Sequence, residues 1–314
     1  MKLFEGERLY TNGKIMPYVT KNFEFWLLCL PAIIYFIVFH YLPMFGAVIA
    51  FKNYNYTLGI LGSEWVGFEN FKFFFLSNDA WRITRNTLGY SALFLLTGTL
   101  ASMGVALLLF EITSKKCIKT YQTIMILPHF LSWVIVGYIT YILFNHQYGV
   151  CNQIIRFFGG EGLDWYSTPM AWPFILPIVS IWKSVGMSCI MYYATLLGVD
   201  NQIYEAAMID GANRWQQTLH VSVPTLIPMV TILTIMAVGN IFRGDFGLFY
   251  QITRDVGTLY PTTDIIDTYL YRGLRTGDVG ITAAVGLFQS VVGFVVVVFT
   301  NYVVKKVEPD NAMF

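Results

Sequence analysis

Five stretches of this chain contain no Asp, Glu, Lys or Arg: residues 25–51, 86–110, 121–155, 221–242 and 279–304. A sixth, residues 165–199, is interrupted only by Lys183. A helix that crosses a bilayer needs about 20 mostly apolar residues, because hydrocarbon offers no partner to an unpaired backbone amide. Barrel strands are about 10 residues long and alternate in polarity, and these runs are long and continuous. The expected fold is therefore an all-α integral membrane protein with six transmembrane helices, at about 25–51, 87–110, 121–144, 171–197, 221–242 and 279–304. Charged residues make up 12% of the 314, against about 25% in a soluble domain. A net charge of +1 gives no attraction for nucleic acid.

The first run is too long for the apolar core of a signal peptide, and no small-residue cleavage site follows it. Six spans place both termini on one side of the membrane. With that side cytoplasmic, the inner segments 1–24, 111–120, 198–222 and 305–314 hold ten Lys/Arg in 69 residues. The outer loops 52–86, 145–169 and 243–280 hold nine in 98. The excess of positive charge assigns both termini to the cytoplasm of a multi-pass cell-membrane protein. The outer loop 52–86 is crowded with aromatics, from Trp65 to Trp81, as in a short amphipathic helix lying on the membrane or the bundle.

No catalytic constellation is present. The chain has no G-x-x-x-x-G-K-[ST] phosphate loop, no H-E-x-x-H and no G-x-S-x-G. Asp245-Phe246-Gly247 spells a kinase triplet without the rest of the kinase set. Cys29, Cys117, Cys151 and Cys189 are scattered, with no C-x-x-C, so neither a zinc nor a redox motif is expected. An enzyme, a metal site and a bound cofactor are all unexpected in this chain.

Polar residues inside the spans matter more, since a charge at mid-membrane is costly and faces a bundle interior or a wet cavity. Lys183 falls near the middle of the fourth span; Asn240 and Arg243 close the fifth; Gln289 lies in the sixth. Each fits either an interhelical bond or the wall of a solute path, and Tyr192 and Tyr193 would offer stacking faces for a sugar ring. Gly98, Ser102 and Ala106 recur every four residues and fit close helix packing.

Between spans four and five lies the polar stretch YEAAMIDGANRWQQTLHVSVP, Tyr204 to Pro224. Glu205, Ala206, Ala207 and Met208 favour helix, Gly211 can end one in a left-handed conformation, and Pro224 fits a first helical turn. The expected shape is helix, sharp turn, short helix, then span: an elbow suited either to docking on a partner's groove or to plain connection.

This stretch resembles the EAA signature of permease subunits of ATP-binding-cassette importers. The matching elements are Glu205-Ala206-Ala207, Asp210-Gly211-Ala212, and Val221-Ser222-Val223-Pro224, with Val221 and Val223 where the signature has Ile and Leu. The runs Pro31–Tyr54, Gly62–Phe75, Thr123–Tyr138 and WKSVG, Trp182–Gly186, are similar to the carbohydrate branch that handles oligosaccharides and polysaccharide fragments. The resemblance implies a type I importer (MetI-like) permease fold. It implies an oligosaccharide path built with a second homologous permease and an extracytoplasmic solute-binding protein. It implies too that Glu205, Ala206, Ala207, Asp210, Gly211, Arg214 and Pro224 couple the bundle to a cytoplasmic ATPase dimer, which would hold the ATP and Mg. An ion-coupled secondary transporter and a non-transporting membrane scaffold are the alternatives; the first does not account for the elbow.

Overall fold

The computed structural model describes residues 23–307. Of the expected N-terminal segment 1–24 and C-terminal tail 305–314, residues 1–22 and 308–314 lie outside the described residues. The long helices, numbered in chain order, are α1 (Phe23–Phe36), α2 (Glu69–Leu76), α3 (Asn78–Phe110), α4 (Lys115–Ile126), α5 (Trp133–Phe144), α6 (Val150–Phe157), α7 (Trp172–Leu197), α8 (Asn201–Ile209), α9 (Arg214–Gln217), α10 (Val223–Val238), α11 (Ile266–Thr276) and α12 (Val279–Val307). Lys52–Asn53 and Glu64–Trp65 form a two-residue antiparallel pair, β1 and β2.

Five helical stretches are long and apolar enough to cross a membrane: Phe23–Phe51, Asn78–Phe110, Pro169–Leu197, Arg214–Val238 and Val279–Lys306. The third expected span is not one straight helix. It is the pair Lys115–Phe130 and Trp133–Phe144, bent by 98°, and counting this pair as one broken span gives six. Pro128 sits at the bend and cannot donate to the turn before it. A short 3₁₀ turn follows over Leu127–Phe130, Leu131 is extended, and the Ser132 hydroxyl accepts from the Ile135 N–H to start α5. A window free of charge conceals such a break, because hydropathy does not see direction.

The second span also differs in extent. Its helix begins at Asn78, nine residues before the apolar run, because Asp79, Arg82 and Arg85 extend it as a polar first stretch. The fifth stops at Val238, and residues 239–243 continue as tight turns. The outer aromatic segment forms α2, whose Phe74 is buried against Ile266, Val285 and Phe288; it packs on the bundle.

The bundle core is built around α3 and α7, which share the largest interface between elements. No residue of α1 is buried, so its apolar surface has no cover from the rest of this chain. At one end, Phe110 of α3 packs on Tyr204, with ring centroids 5.7 Å apart. At the other, Arg82 of α3 reaches Asp264 at 3.0 Å.

Asp264 is fully buried and anchors the long segment between α10 and α12. Its carboxylate accepts from Arg82, from Arg272 at 2.5 Å and from the Thr268 hydroxyl at 3.0 Å. Arg272 also binds Asp255 at 3.0 Å. The Asn86 amide donates to the Asp264 carbonyl.

Candidate functional site

The elbow is built from two local devices. In the first, α8 ends in a paired backbone closure: the Ala212 N–H donates to the Ala207 carbonyl at 2.9 Å and the Gly211 N–H to that of Met208 at 3.1 Å. This closure requires a left-handed residue at its corner, and Gly211 supplies it at φ +82°. In the second, Asn213 and Gln216 cap each other's backbone N–H at the start of α9, satisfying two donors that a helix start leaves open.

Beyond α9 the sequence reading needs correcting. It set a short helix before a separate span, yet the helical path is continuous from Arg214 to Val238. Pro224 stands in the first turn of α10, as expected, but α10 itself continues this path. The missing N–H of Pro224 is accommodated by one wide turn over Thr218–Ser222, closed by the Val223 N–H on the Thr218 carbonyl. The Tyr204 hydroxyl meets that of Ser222 at 2.9 Å and ties the two arms together. Glu205, Ala206, Asp210, Gly211 and Arg214 are exposed and Ala207 half-buried. Arg214 reaches Glu111 at 3.5 Å, in an exposed pair of the kind that contributes little. Ile209 and Trp215 are 86% and 70% exposed, an uncovered apolar surface on an otherwise polar element.

At the far end of α10 the bundle opens into a cleft of about 550 Å³. Hydroxyls line it from two sides: Ser91, Thr99 and Ser102 on α3, and Ser180, Ser184 and Ser188 on α7. The sequence reading took Ser102 for a packing residue and missed the others, although the spacing of four in 180, 184 and 188 was a visible signal of one helix face. Asp245 was missed as well. Of the path candidates, Tyr192, Asn240 and Arg243 border this cleft, and Leu233 and Ala237 bring α10 into its wall.

The other three path candidates lie elsewhere. Lys183 donates to the His129 carbonyl at 2.8 Å, with its ammonium 5.0 Å from the Trp133 ring. It closes the break in the bent span. Gly186, one turn along α7, allows the approach: a Cβ there would sit 2.0 Å from the Met125 carbonyl oxygen. Tyr193 packs against the cluster of Ala106, Leu109, Cys189 and Leu196. Gln289 borders a neighbouring cleft of about 330 Å³ with Asn240 and Arg243, but its amide donates to the Phe242 carbonyl at 2.6 Å and lies 3.4 Å from Asp267. The small-residue face of α3 divides too: Gly98 and Ser102 border the main cleft, and Ala106 is fully buried.

Among the described residues no group of three His, Cys, Asp or Glu is placed to hold a metal.

Residues 98–309 match the model of the binding-protein-dependent transport system inner membrane component family. This chain belongs to that family. It is 39% identical to protein LplB of Bacillus subtilis (strain 168), over 91% of this chain and 90% of that protein. It is 37% identical to the polygalacturonan/rhamnogalacturonan transport system permease YteP of the same organism, over 90% and 87%. Among solved structures it is similar to a bacterial transporter involved in the import of the acidic polysaccharide alginate. There the TM-score is 0.85 and the identity 32%, over 94% of this chain and all of that one. A second structure, of the alginate transporter with a pentasaccharide-bound periplasmic protein, gives a TM-score of 0.84 at 32% identity. The chain is a multi-pass membrane protein, a permease subunit of a sugar ATP-binding-cassette importer with the fold of that class.

Proposed function

We propose that this subunit forms, with a second permease of the same family, a path that carries an acidic oligosaccharide inward by alternating access. One observation carries the reading: a continuous helix, Arg214–Val238, bears the elbow at one end and lines the hydroxyl-rich cleft at the other. A push on the elbow is then a push on the cleft. The exposed Ile209 and Trp215 supply an apolar surface for docking in a groove of a separate ATPase dimer. Glu205, Asp210 and Arg214 supply its charged rim. In this reading ATP and Mg are held by that ATPase, and the permease performs no catalytic step. Both termini and the elbow are cytoplasmic. The uncovered apolar face of α1 meets lipid or the second permease, and a solute-binding protein delivers the sugar from outside.

The cargo follows from the cleft. Serine and threonine hydroxyls pair with sugar hydroxyls, and the exposed Arg243 offers a guanidinium to a carboxylate. The polymers named for the alginate transporter and for YteP are acidic polysaccharides.

Co-purification from mild detergent tests the assembly: a second permease and an ATPase should accompany this chain in fixed ratio. Recovery of the chain alone, still moving sugar under an ion gradient, would sink it.

A further inference from the structure

The end of the bundle opposite the elbow carries a second cavity, of about 210 Å³ and separate from the cleft. Tyr138 and Tyr141 of α5 form one wall. Tyr250, Gln251 and Arg254, from the turn after α10, form the other. The walls meet closely because Gly137 has no side chain: a Cβ there would lie 2.8 Å from the Gln251 carbonyl oxygen.

Arg254 is the unusual residue. It and Asp255 adopt left-handed backbone, at φ 57° and 50°, without being glycine. Such conformations persist where surroundings impose them, and they concentrate at binding sites. Asp255 has a structural reason, since its carboxylate accepts from Arg272 and from the Tyr260 hydroxyl. Arg254 has no such partner: among the described residues it makes no ion pair with a carboxylate. Its guanidinium lies 4.1 Å from the Tyr141 ring centroid. A guanidinium laid on an aromatic face keeps its N–H edge free for a planar, two-point anion. On the same wall as Arg254, Tyr250 is held by stacking on Phe246, with centroids 5.0 Å apart and planes 18° apart. Asp245, the residue before Phe246, borders the main cleft, so the two cavities are neighbours along the chain.

A rigid tyrosine face beside a guanidinium edge matches a sugar ring that carries a carboxylate. The volume is below the roughly 300–1,000 Å³ of a site for a drug-sized ligand, which suits a single ring. We infer that Tyr141, Tyr250 and Arg254 form an outer recognition site for one uronosyl unit of the cargo, used before the chain reaches the cleft. This rests on the acidic-oligosaccharide reading above.

The test uses the assembled importer in nanodiscs, with trigalacturonate and its methyl ester as probes. Calorimetric titration should show Arg254→Gln weakening trigalacturonate about tenfold and the ester less than twofold. Tyr250→Ala should weaken both. An Arg254→Gln variant that binds trigalacturonate like wild type, or that loses acid and ester alike, overturns the site. The cargo reading is judged apart, by uptake into proteoliposomes. Wild type that imports neutral oligosaccharides but no trigalacturonate removes that reading. Wild type that imports it while Arg254→Gln is silent removes the outer site alone.

Discussion

The Lys183 ammonium donates to the His129 carbonyl across 2.8 Å, from the middle of one membrane span to the break in another. A mid-membrane lysine is thereby spent on architecture. The chain turns extended at Leu131 and Ser132, which takes the His129 carbonyl out of the helical ladder, and Lys183 occupies that carbonyl. Replacing it with methionine keeps the stem's bulk and removes the donor. The orphaned carbonyl costs about 1–2 kcal/mol. Lys183→Met is therefore expected to lower the melting temperature in detergent by roughly 4 °C, while the KM for sugar is unchanged. A raised KM with unchanged melting would return Lys183 to the solute path.

Gly186 is expected to be intolerant of any side chain. Its missing Cβ would meet the Met125 backbone at 2.0 Å, and backbone has no rotamer through which to retreat. Gly186→Val should leave almost no folded protein in the membrane fraction. Gly98→Ala is the control, with nothing within 4 Å of its Cβ, and should accumulate normally.

Gly211 separates conformational from steric causes. No atom lies within 4 Å of its Cβ position, but its φ is +82°. A β-branched residue there costs upwards of about 1–2 kcal/mol, and asparagine less. Gly211→Val should cut ATP-driven uptake in vesicles at least tenfold with the bundle still folded, and Gly211→Asn should retain most of it. Equal loss in both would point to contact with a partner.

Arg243 and Asn240 border the cleft and are exposed. Arg243→Gln should raise the KM for an acidic oligosaccharide about tenfold, the effect of one charge-assisted bond, at near-normal expression. Initial uptake rates against substrate concentration read this directly.

Asp267 gives a pH signature. Burial raises its pKa, and the Gly244 N–H and Gln289 only partly oppose this. The folded state then holds a proton that the unfolded chain has already released. This term favours folding more as pH falls toward the ordinary carboxylate range, and it is lost as pH rises through the raised pKa. Wild type should gain in melting temperature relative to Asp267→Asn as pH falls from 7.5 to 4. A constant difference across that range would contradict the shift.

The spans and the elbow were legible because each is written locally. Long apolar runs need no partner to be recognised, and Gly211 at the end of Glu205–Met208 is a stop signal within a few residues. What was hidden depends on helical phase and distance. Lys183 and Gln289 turned to interhelical carbonyls while Asn240 and Arg243 reached the cleft, and a single sequence does not fix those rotations. The Asp264 network joins Arg82 to a residue 182 positions away, so no local pattern foretells it. The break at Pro128 was visible as a residue but not as a 98° change of direction.

The unbroken path from Arg214 to Val238 has a mechanical consequence. Twenty-five residues at 1.5 Å each make a rod of about 37 Å. Pivoted at one end, such a rod converts a tilt of about 5° into a displacement of about 3 Å at the other, comparable to the width of a hydroxyl group. In the proposed coupling, stiffness along the rod sets how much of a push on the elbow arrives at the cleft.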